Sequence, residues 1–324
     1  MVRDLYKDGL KFVMIFFVVL GHLDYNDYGL GMNRMISAFH MPIFVFLSGY
    51  FSSQETETDK QKKWLKKILI IYAVAQLAHF LLSILLEHAS STYHNEPFDT
   101  SIITWRILIS PKLALWYLIC LVYWRLSLWH IFRNTSDWSL LVISCILALF
   151  SGFVPIDNDL SFQRAFAFFP FFVSGLIFKK QNLMGKINQL PVMYALIATF
   201  LLLALSRLLP KYMPSYHYEN WNDLVLRVVQ SVMAFILCIC VLRLSEHKWI
   251  EKLAEYGKYT LWIYIGHTFL AIIGYKAFPY LGIRLNLFTA SLLALFYCIL
   301  FVFLAKLYTK IAAKRSLSNL PGET

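Results

Sequence analysis

Residues 285–308 read LNLFTASLLALFYCILFVFLAKLY, and Lys306 is the only charged residue among them. A helix needs roughly 20 mostly apolar residues to cross a hydrocarbon core about 30 Å thick. This run meets that length and is bounded by charge at Arg284 and Lys310. It therefore predicts a helix that crosses a membrane.

The composition of the whole chain agrees with this prediction. Of the 324 residues, 59% are hydrophobic and 15% are charged, whereas a typical soluble domain has about 25% charged residues. These values argue against a water-soluble globular fold. We predict an all-α polytopic integral membrane protein, with a ten-helix membrane domain at 1–313 and a short cytoplasmic tail at 314–324. Apolar runs predict about ten transmembrane helices, at 9–23, 35–51, 68–86, 113–130, 138–155, 165–178, 191–209, 224–244, 259–278 and 285–308.

The positive charges indicate which loops face the cytoplasm. The net charge is +11, and membrane proteins concentrate Lys and Arg in cytoplasmic loops. A cytoplasmic N-terminus puts 21 of the 30 Lys and Arg residues on the inner side. We therefore predict that both termini are cytoplasmic. Because the basic residues follow the sidedness of the loops, nucleic-acid binding is not expected.

The cysteines do not indicate a metal or redox site. All of them lie inside apolar stretches, and their spacing is not that of zinc ligands. They are interpreted as small buried side chains, and no metal is expected. The five are Cys120, Cys145, Cys238, Cys240 and Cys298.

Ionisable residues in the first two predicted spans are candidate functional residues, because such residues are costly within a membrane. Lys11 and His22 are eleven residues apart, about three helical turns, so they share one face roughly 16 Å apart. His40 lies at a similar predicted depth, and a hairpin between the spans would set it beside His22. Pro42 is expected to kink the second helix. The structural alternative is a histidine at the interface and a lysine that extends to the headgroups.

Two further ionisable residues lie deeper in the chain. Arg164 opens the sixth predicted span from the outer side, either as a surface anchor or as a functional residue. His267 lies near the middle of the ninth, where a cavity-facing role is favoured. We expect Lys11 and His22 to line one solvent-filled tunnel. His79 and Gln76 fit ordinary hydrogen bonding between helices.

Several motifs together resemble one protein family. Phe39-His40-Met41-Pro42-Ile43-Phe44-Val45-Phe46-Leu47-Ser48-Gly49-Tyr50-Phe51 is the longest of them. The first-span pattern of a basic residue, ten residues and then His resembles the signature of the acyltransferase-3 membrane proteins, and the longest motif resembles their fucose 4-O-acetylase-like branch. Lys11 stands where the family usually has Arg, which keeps the charge but not the bidentate fork. Weaker similarities, in the family's order, are Leu115 to Leu118, Arg164 with Phe168 to Phe172 and Gly175, and Tyr264 to His267.

The resemblance implies a membrane O-acetyltransferase in a bacterial inner membrane. Its substrates would be acetyl-CoA as donor and a sugar hydroxyl of a surface polysaccharide or lipid-linked glycan as acceptor. An imidazole suits removal of the hydroxyl proton, so His22 is the expected base. His40 or Ser48 would orient it or stabilise the oxyanion. The expected donor-binding residues are Lys11, Lys66, Lys67 and Trp116, and the expected acceptor-binding residues are Arg164, His267 and Asp24.

Two other functions are compatible with this sequence. A polysaccharide exporter or proton-coupled transporter would also place histidines at depth in the membrane. Transporters often contain internal repeats with paired broken helices, and no such repeat is evident here. A non-catalytic subunit of a polysaccharide-assembly complex is the third candidate. The enzyme is therefore the leading hypothesis.

Overall fold

The structure of the chain is a computed structural model that describes most of the sequence. Statements about the fold refer to these described residues, and Asp24, one of the predicted acceptor-binding residues, lies outside them. The described ranges are 4–23, 32–52, 59–94, 97–100, 103, 106–154, 159–211 and 217–318.

The regular structure of these residues is entirely helical. Each of the ten predicted apolar runs coincides with a helical segment. Short 3-10 turns and one π-helical turn, Ser127–Ile131, lie between or beside the α-helices. The helices are α1 Leu5–His22, α2 Met32–Tyr50, α3 Asp59–His94, α4 Arg106–Ile109, α5 Trp116–Leu126, α6 Asp137–Phe150, α7 Phe162–Lys180, α8 Met184–Ile187, α9 Val192–Ser206, α10 Trp221–Ser245, α11 Lys248–Lys252, α12 Ala254–Gly257, α13 Thr260–Tyr280 and α14 Leu287–Ser318.

Six helical segments of the described chain are long and apolar enough to cross a membrane, judged by length and composition. The remaining apolar helices, Asp137–Phe153 and Val192–Ser206, are shorter. Helices α1 and α2 have 18 and 19 residues, but both carry charged side chains. The six segments are Asp59–Tyr93, Leu113–Ile131, Asp159–Lys180, Trp221–Ser245, Thr260–Phe278 and Leu287–Ala312.

The chain divides into two compact units. Unit 1 combines Met1–Tyr28 with Lys248–Thr324, so the first helix packs with the last four. Helix α1 approaches α11 closely at Gly9, where an added Cβ would lie 1.9 Å from the carbonyl oxygen of Ile250. Unit 1 thus brings together two ends of the sequence that carry separate family-like motifs.

Unit 2 comprises Gly29–His247 and is organised around the pair α2 and α7. An added Cβ at Gly49 would lie 1.8 Å from the carbonyl oxygen of Phe172, and one at Gly175 would lie 1.9 Å from that of Phe46. Since no side chain fits there, glycine is required on both helices for this approach. Helix α2 continues as an α-helix through Pro42.

Candidate functional site

The most prominent polar contact in unit 1 joins two histidines. His22 is at the C-terminal end of α1, and His267 lies within α13. Their ring centroids are 5.3 Å apart and the rings are inclined by 44°. His267 is buried, with 1% of its surface exposed, whereas His22 is partly exposed. A partly exposed and a buried imidazole are therefore in contact, although 245 positions in the numbering separate them.

The tautomer of His267 follows from its backbone contact. Its Nδ1 lies 2.9 Å from the carbonyl oxygen of Ile263, and a carbonyl oxygen can only accept a hydrogen bond. Nδ1 therefore carries the proton, and in the neutral ring Nε2 has the lone pair. The ring of Tyr264 packs edge-on against His267 at 6.0 Å. The backbone of α13 thus fixes the histidine that supports His22.

Lys11 lies on the same face of α1 as His22 but has its own partner. Its Nζ is 2.9 Å from Oδ1 of Asp8, one helical turn earlier. Ile15 and Val18 occupy the face between Lys11 and His22, with 0% and 1% of their surfaces exposed. The prediction of a solvent-filled tunnel along this face is therefore wrong, because packed aliphatic side chains fill the path between the two residues.

A second lysine of α1 was missed as a candidate. Lys7 is 1% exposed and is among the largest fully buried side chains in the described chain. From the sequence, Lys7 was considered only as one of the basic residues that indicate a cytoplasmic segment. Its position near the N-terminus of the helix gave no local signal for burial, which arises from packing of α1.

In unit 2, His40 and Ser48 of α2 are both held by the backbone of their own helix. Nδ1 of His40 donates to the carbonyl oxygen of Ile36, as His267 does to its own helix. The Ser48 hydroxyl donates to the carbonyl oxygen of Phe44 at 2.8 Å and accepts from the Tyr117 hydroxyl. Because the single Ser48 proton is used in this way, Ser48 has none to offer an oxyanion in this state. Tyr117 was part of a family-like motif but was not singled out.

Trp116 and Arg164 come together at the beginning of α5. The guanidinium carbon of Arg164 is 5.4 Å from the centroid of the Trp116 ring. The Phe168 ring also stacks on Trp116, with the ring centroids 5.3 Å apart and the planes inclined by 17°. Trp116 was predicted to bind the donor together with Lys66 and Lys67. The structure instead groups it with Arg164, which was assigned to the acceptor.

Trp64, close in sequence to Lys66 and Lys67 on α3, contacts a different arginine. Both lysines are exposed on α3, and Trp64 precedes them. The guanidinium carbon of Arg125, in α5, is 3.7 Å from the centroid of the Trp64 ring. Arg125 was counted only as a loop charge, but it lies inside the apolar segment Leu113–Ile131. Its position within a membrane-length helix was the signal that could have found it.

The described residues contain no group of three or more His, Cys, Asp or Glu side chains arranged to hold a metal ion.

Comparison of the sequence with known families gives one extended match. The profile of a family described as an acyltransferase domain, the acyltransferase-3 profile, matches residues 4–308. The match includes the histidine contact of unit 1 and both arginine–tryptophan contacts of unit 2. The same sequence finds no match among curated proteins and none among solved structures.

Proposed function

Because this chain belongs to the acyltransferase-3 family, we propose that it is a membrane O-acetyltransferase acting on a sugar hydroxyl. The donor is acetyl-CoA, and the acceptor is a surface polysaccharide or a lipid-linked glycan precursor. The contact between His22 and His267 is the observation that carries this proposal. An exposed imidazole supported by a buried one is suited to accept a proton from an alcohol and to release it again.

His22 is the general base in this reaction. Its imidazole accepts the proton of the sugar hydroxyl while the hydroxyl oxygen attacks the thioester carbonyl carbon. The new C–O bond forms, the C–S bond breaks, and the coenzyme A sulfur leaves as a thiolate. The imidazolium then protonates that thiolate. The products are the acetyl ester and coenzyme A, and His22 is neutral again.

His267 is a positioning residue for His22. With its Nδ1 proton held by Ile263, it presents Nε2 to its surroundings in a fixed orientation. A fixed neighbouring ring restricts the orientations of the His22 imidazole. Replacement of His267 by Gln should therefore lower kcat and leave the KM for acetyl-CoA and the Tm close to those of the unaltered protein, whereas a purely structural role would lower the Tm.

The donor and acceptor residues are assigned by the groups that lie together. Lys66 and Lys67 are exposed cations suited to the phosphates of acetyl-CoA. Lys11 contacts the donor's phosphates or pantetheine arm, and its ion pair with Asp8 orients it. Arg164 and Trp116, which lie together, contact the acceptor. Asp24 keeps the acceptor-binding role that the family resemblance implies.

The membrane arrangement is also part of the proposal. We propose ten spans, with α1, α2, α6 and α9 added to the six long apolar segments, and both termini in the cytoplasm of a bacterial inner membrane. The distribution of Lys and Arg supports this sidedness. A span as short as α9, 15 residues and about 22 Å, requires local thinning of the bilayer. Labelling of single cysteines from each side of intact cells tests the count.

The deciding experiment measures acetyl transfer by purified protein in detergent, where transport cannot contribute. His22→Ala and His22→Gln should lower the rate about 100-fold or more, in the range of a lost general base. His217→Gln is the matched control, because His217 is an exposed histidine outside the helices. Full activity of a folded His22 variant would remove His22 from the mechanism.

Lys11 is tested on the same preparation through its donor dependence. Lys11→Ala should raise the KM for acetyl-CoA, and Lys11→Arg should raise it less, because arginine keeps the positive charge. An unchanged KM in both variants would exclude Lys11 from donor binding while leaving the role of His22 intact.

A further inference from the structure

Arg125 is placed unusually for a charged residue of a membrane-length helix. It lies inside Leu113–Ile131, with its guanidinium carbon 3.7 Å above the ring of Trp64. A guanidinium stacked on an indole is held in one plane, and its N–H edges remain directed outward in that plane. The contact thus orients the arginine without using its hydrogen-bond donors.

One of those donors is buried and not satisfied by the described part of the chain. The Nε of Arg125 is buried and has no hydrogen-bond partner there. No described carboxylate forms an ion pair with the residue. Arg125 as a whole is only half-buried, so a ligand can still approach its guanidinium. A buried donor of a charged group is costly when it has no hydrogen-bond partner. The buried Nε therefore indicates an anionic ligand.

The helix face that carries Trp64 also carries two lysines. Lys60 and Lys67 are one turn before and after Trp64, and positions three and four apart share a face of a helix. Both are exposed. The helix that carries Arg125 then changes to the π-helical turn Ser127–Ile131, a form frequent at functional sites. Arg125 therefore meets α3 on the face that also carries these two lysines.

We propose that Arg125, oriented by Trp64 and facing the side of α3 that carries Lys60 and Lys67, binds a phosphate group of the acyl donor. This inference rests on the proposed function, because it takes the donor to be a coenzyme A thioester. Arginine binds phosphate in a bidentate manner, and lysine binds it as a point charge. Coenzyme A carries several phosphates, so it can bind one oriented guanidinium together with several flexible lysine side chains.

A phospholipid headgroup offers the same phosphate chemistry, so the test separates the two sources. The full-length protein is placed in nanodiscs of phosphatidylcholine alone, and the Kd of coenzyme A is measured by calorimetry. Arg125→Ala should weaken binding about 10- to 100-fold, as for a lost charged hydrogen bond. Arg125→Lys should lose less, because it keeps the charge. Binding of pantetheine, which has no phosphate, should be unchanged in both variants.

A matched control distinguishes this site from general loss of charge. Arg133→Ala removes an exposed arginine beyond the π-helical turn. It should bind coenzyme A as the unaltered protein does. Trp64→Leu keeps an apolar side chain but removes the aromatic face, and should weaken binding about threefold to tenfold.

The possible results are separable. Equal Kd values for Arg125→Ala, Arg125→Lys and the unaltered protein would overturn the inference and leave the proposed acetyltransferase in place. A different result is that Arg125→Ala binds coenzyme A as before but no longer gains Tm when phosphatidylglycerol replaces phosphatidylcholine. That result would assign the site to a lipid phosphate and overturn the donor role. No coenzyme A binding by the unaltered protein would remove both the proposed donor and this inference.

Discussion

The two ends of helix α5 each bring an arginine to a tryptophan ring, but the two contacts differ in their geometry. At the beginning of α5, Arg164 lies 5.4 Å from the Trp116 ring, whose other contact is stacked Phe168. Near its end, Arg125 lies 3.7 Å from the Trp64 ring. The attraction between a guanidinium and the face of a ring weakens with distance, so the contact of Arg125 is the stronger of the two.

The largest effect is expected from separating α7, which carries Arg164, from α2. The two helices pack through Gly175 at a carbonyl oxygen of Phe46. Gly175→Val would force that backbone apart at a cost of about 3 kcal/mol or more. We expect a large fall in the Tm and in the yield of monodisperse protein, because the central helix pair of unit 2 would no longer pack together.

Gly185→Val is the matched control for that substitution. Gly185 lies in the short helix α8, and an added Cβ there meets no atom within 4 Å. Its Tm should stay close to that of the unaltered protein. Equal losses at the two glycines would show that the close packing of α2 and α7 is not what makes Gly175 necessary.

An intermediate effect is expected when the two arginines are compared in steady-state kinetics. Arg164→Ala should raise the KM for the sugar acceptor about tenfold, the effect of losing about 1.4 kcal/mol of binding, and leave the KM for acetyl-CoA unchanged. Arg125→Ala should do the reverse. Parallel changes in both KM values for both variants would mean that the two ends of α5 do not bind different substrates.

The smallest effect is expected from removing the hydrogen bond between the Tyr117 and Ser48 hydroxyls. The Tyr117 hydroxyl, next to Trp116, bonds to Ser48 of α2. Tyr117→Phe should cost about 1 kcal/mol of stability, seen as a modest fall in Tm. Ser48→Ala should cost a similar amount, and the double variant should cost less than the sum, because one interaction is removed twice. Additive losses would contradict a direct bond.

The sequence was sufficient to find the helices because apolar length is a local property. All ten predicted runs lie on helices of the structure. The largest difference was α3, predicted at 68–86 and observed as Asp59–His94. Lysine is a good helix former, so the helix extends beyond the apolar run into its basic flank, which a search for apolar residues does not detect.

The partners of the functional residues could not be predicted in this way. The contact of His22 with His267, far along the chain, was not predicted. Arg125 and Trp64 belong to different helices, and neither residue type nor spacing indicates that they meet. Such contacts depend on how helices pack, which a single sequence does not encode locally. Trp116 and Arg164 were both predicted as site residues, but Trp116 was assigned to the donor and Arg164 to the acceptor.

The length of α3 has a consequence for how a charged molecule arrives. Its 36 residues extend about 54 Å, whereas the hydrocarbon layer is about 30 Å thick. The lysine-bearing end from Asp59 to Lys67 accounts for roughly 13 Å of that excess, and so stands among the headgroups and in water. A dissolved anion therefore experiences attraction before it reaches any embedded helix, and its rate of capture should fall as ionic strength rises.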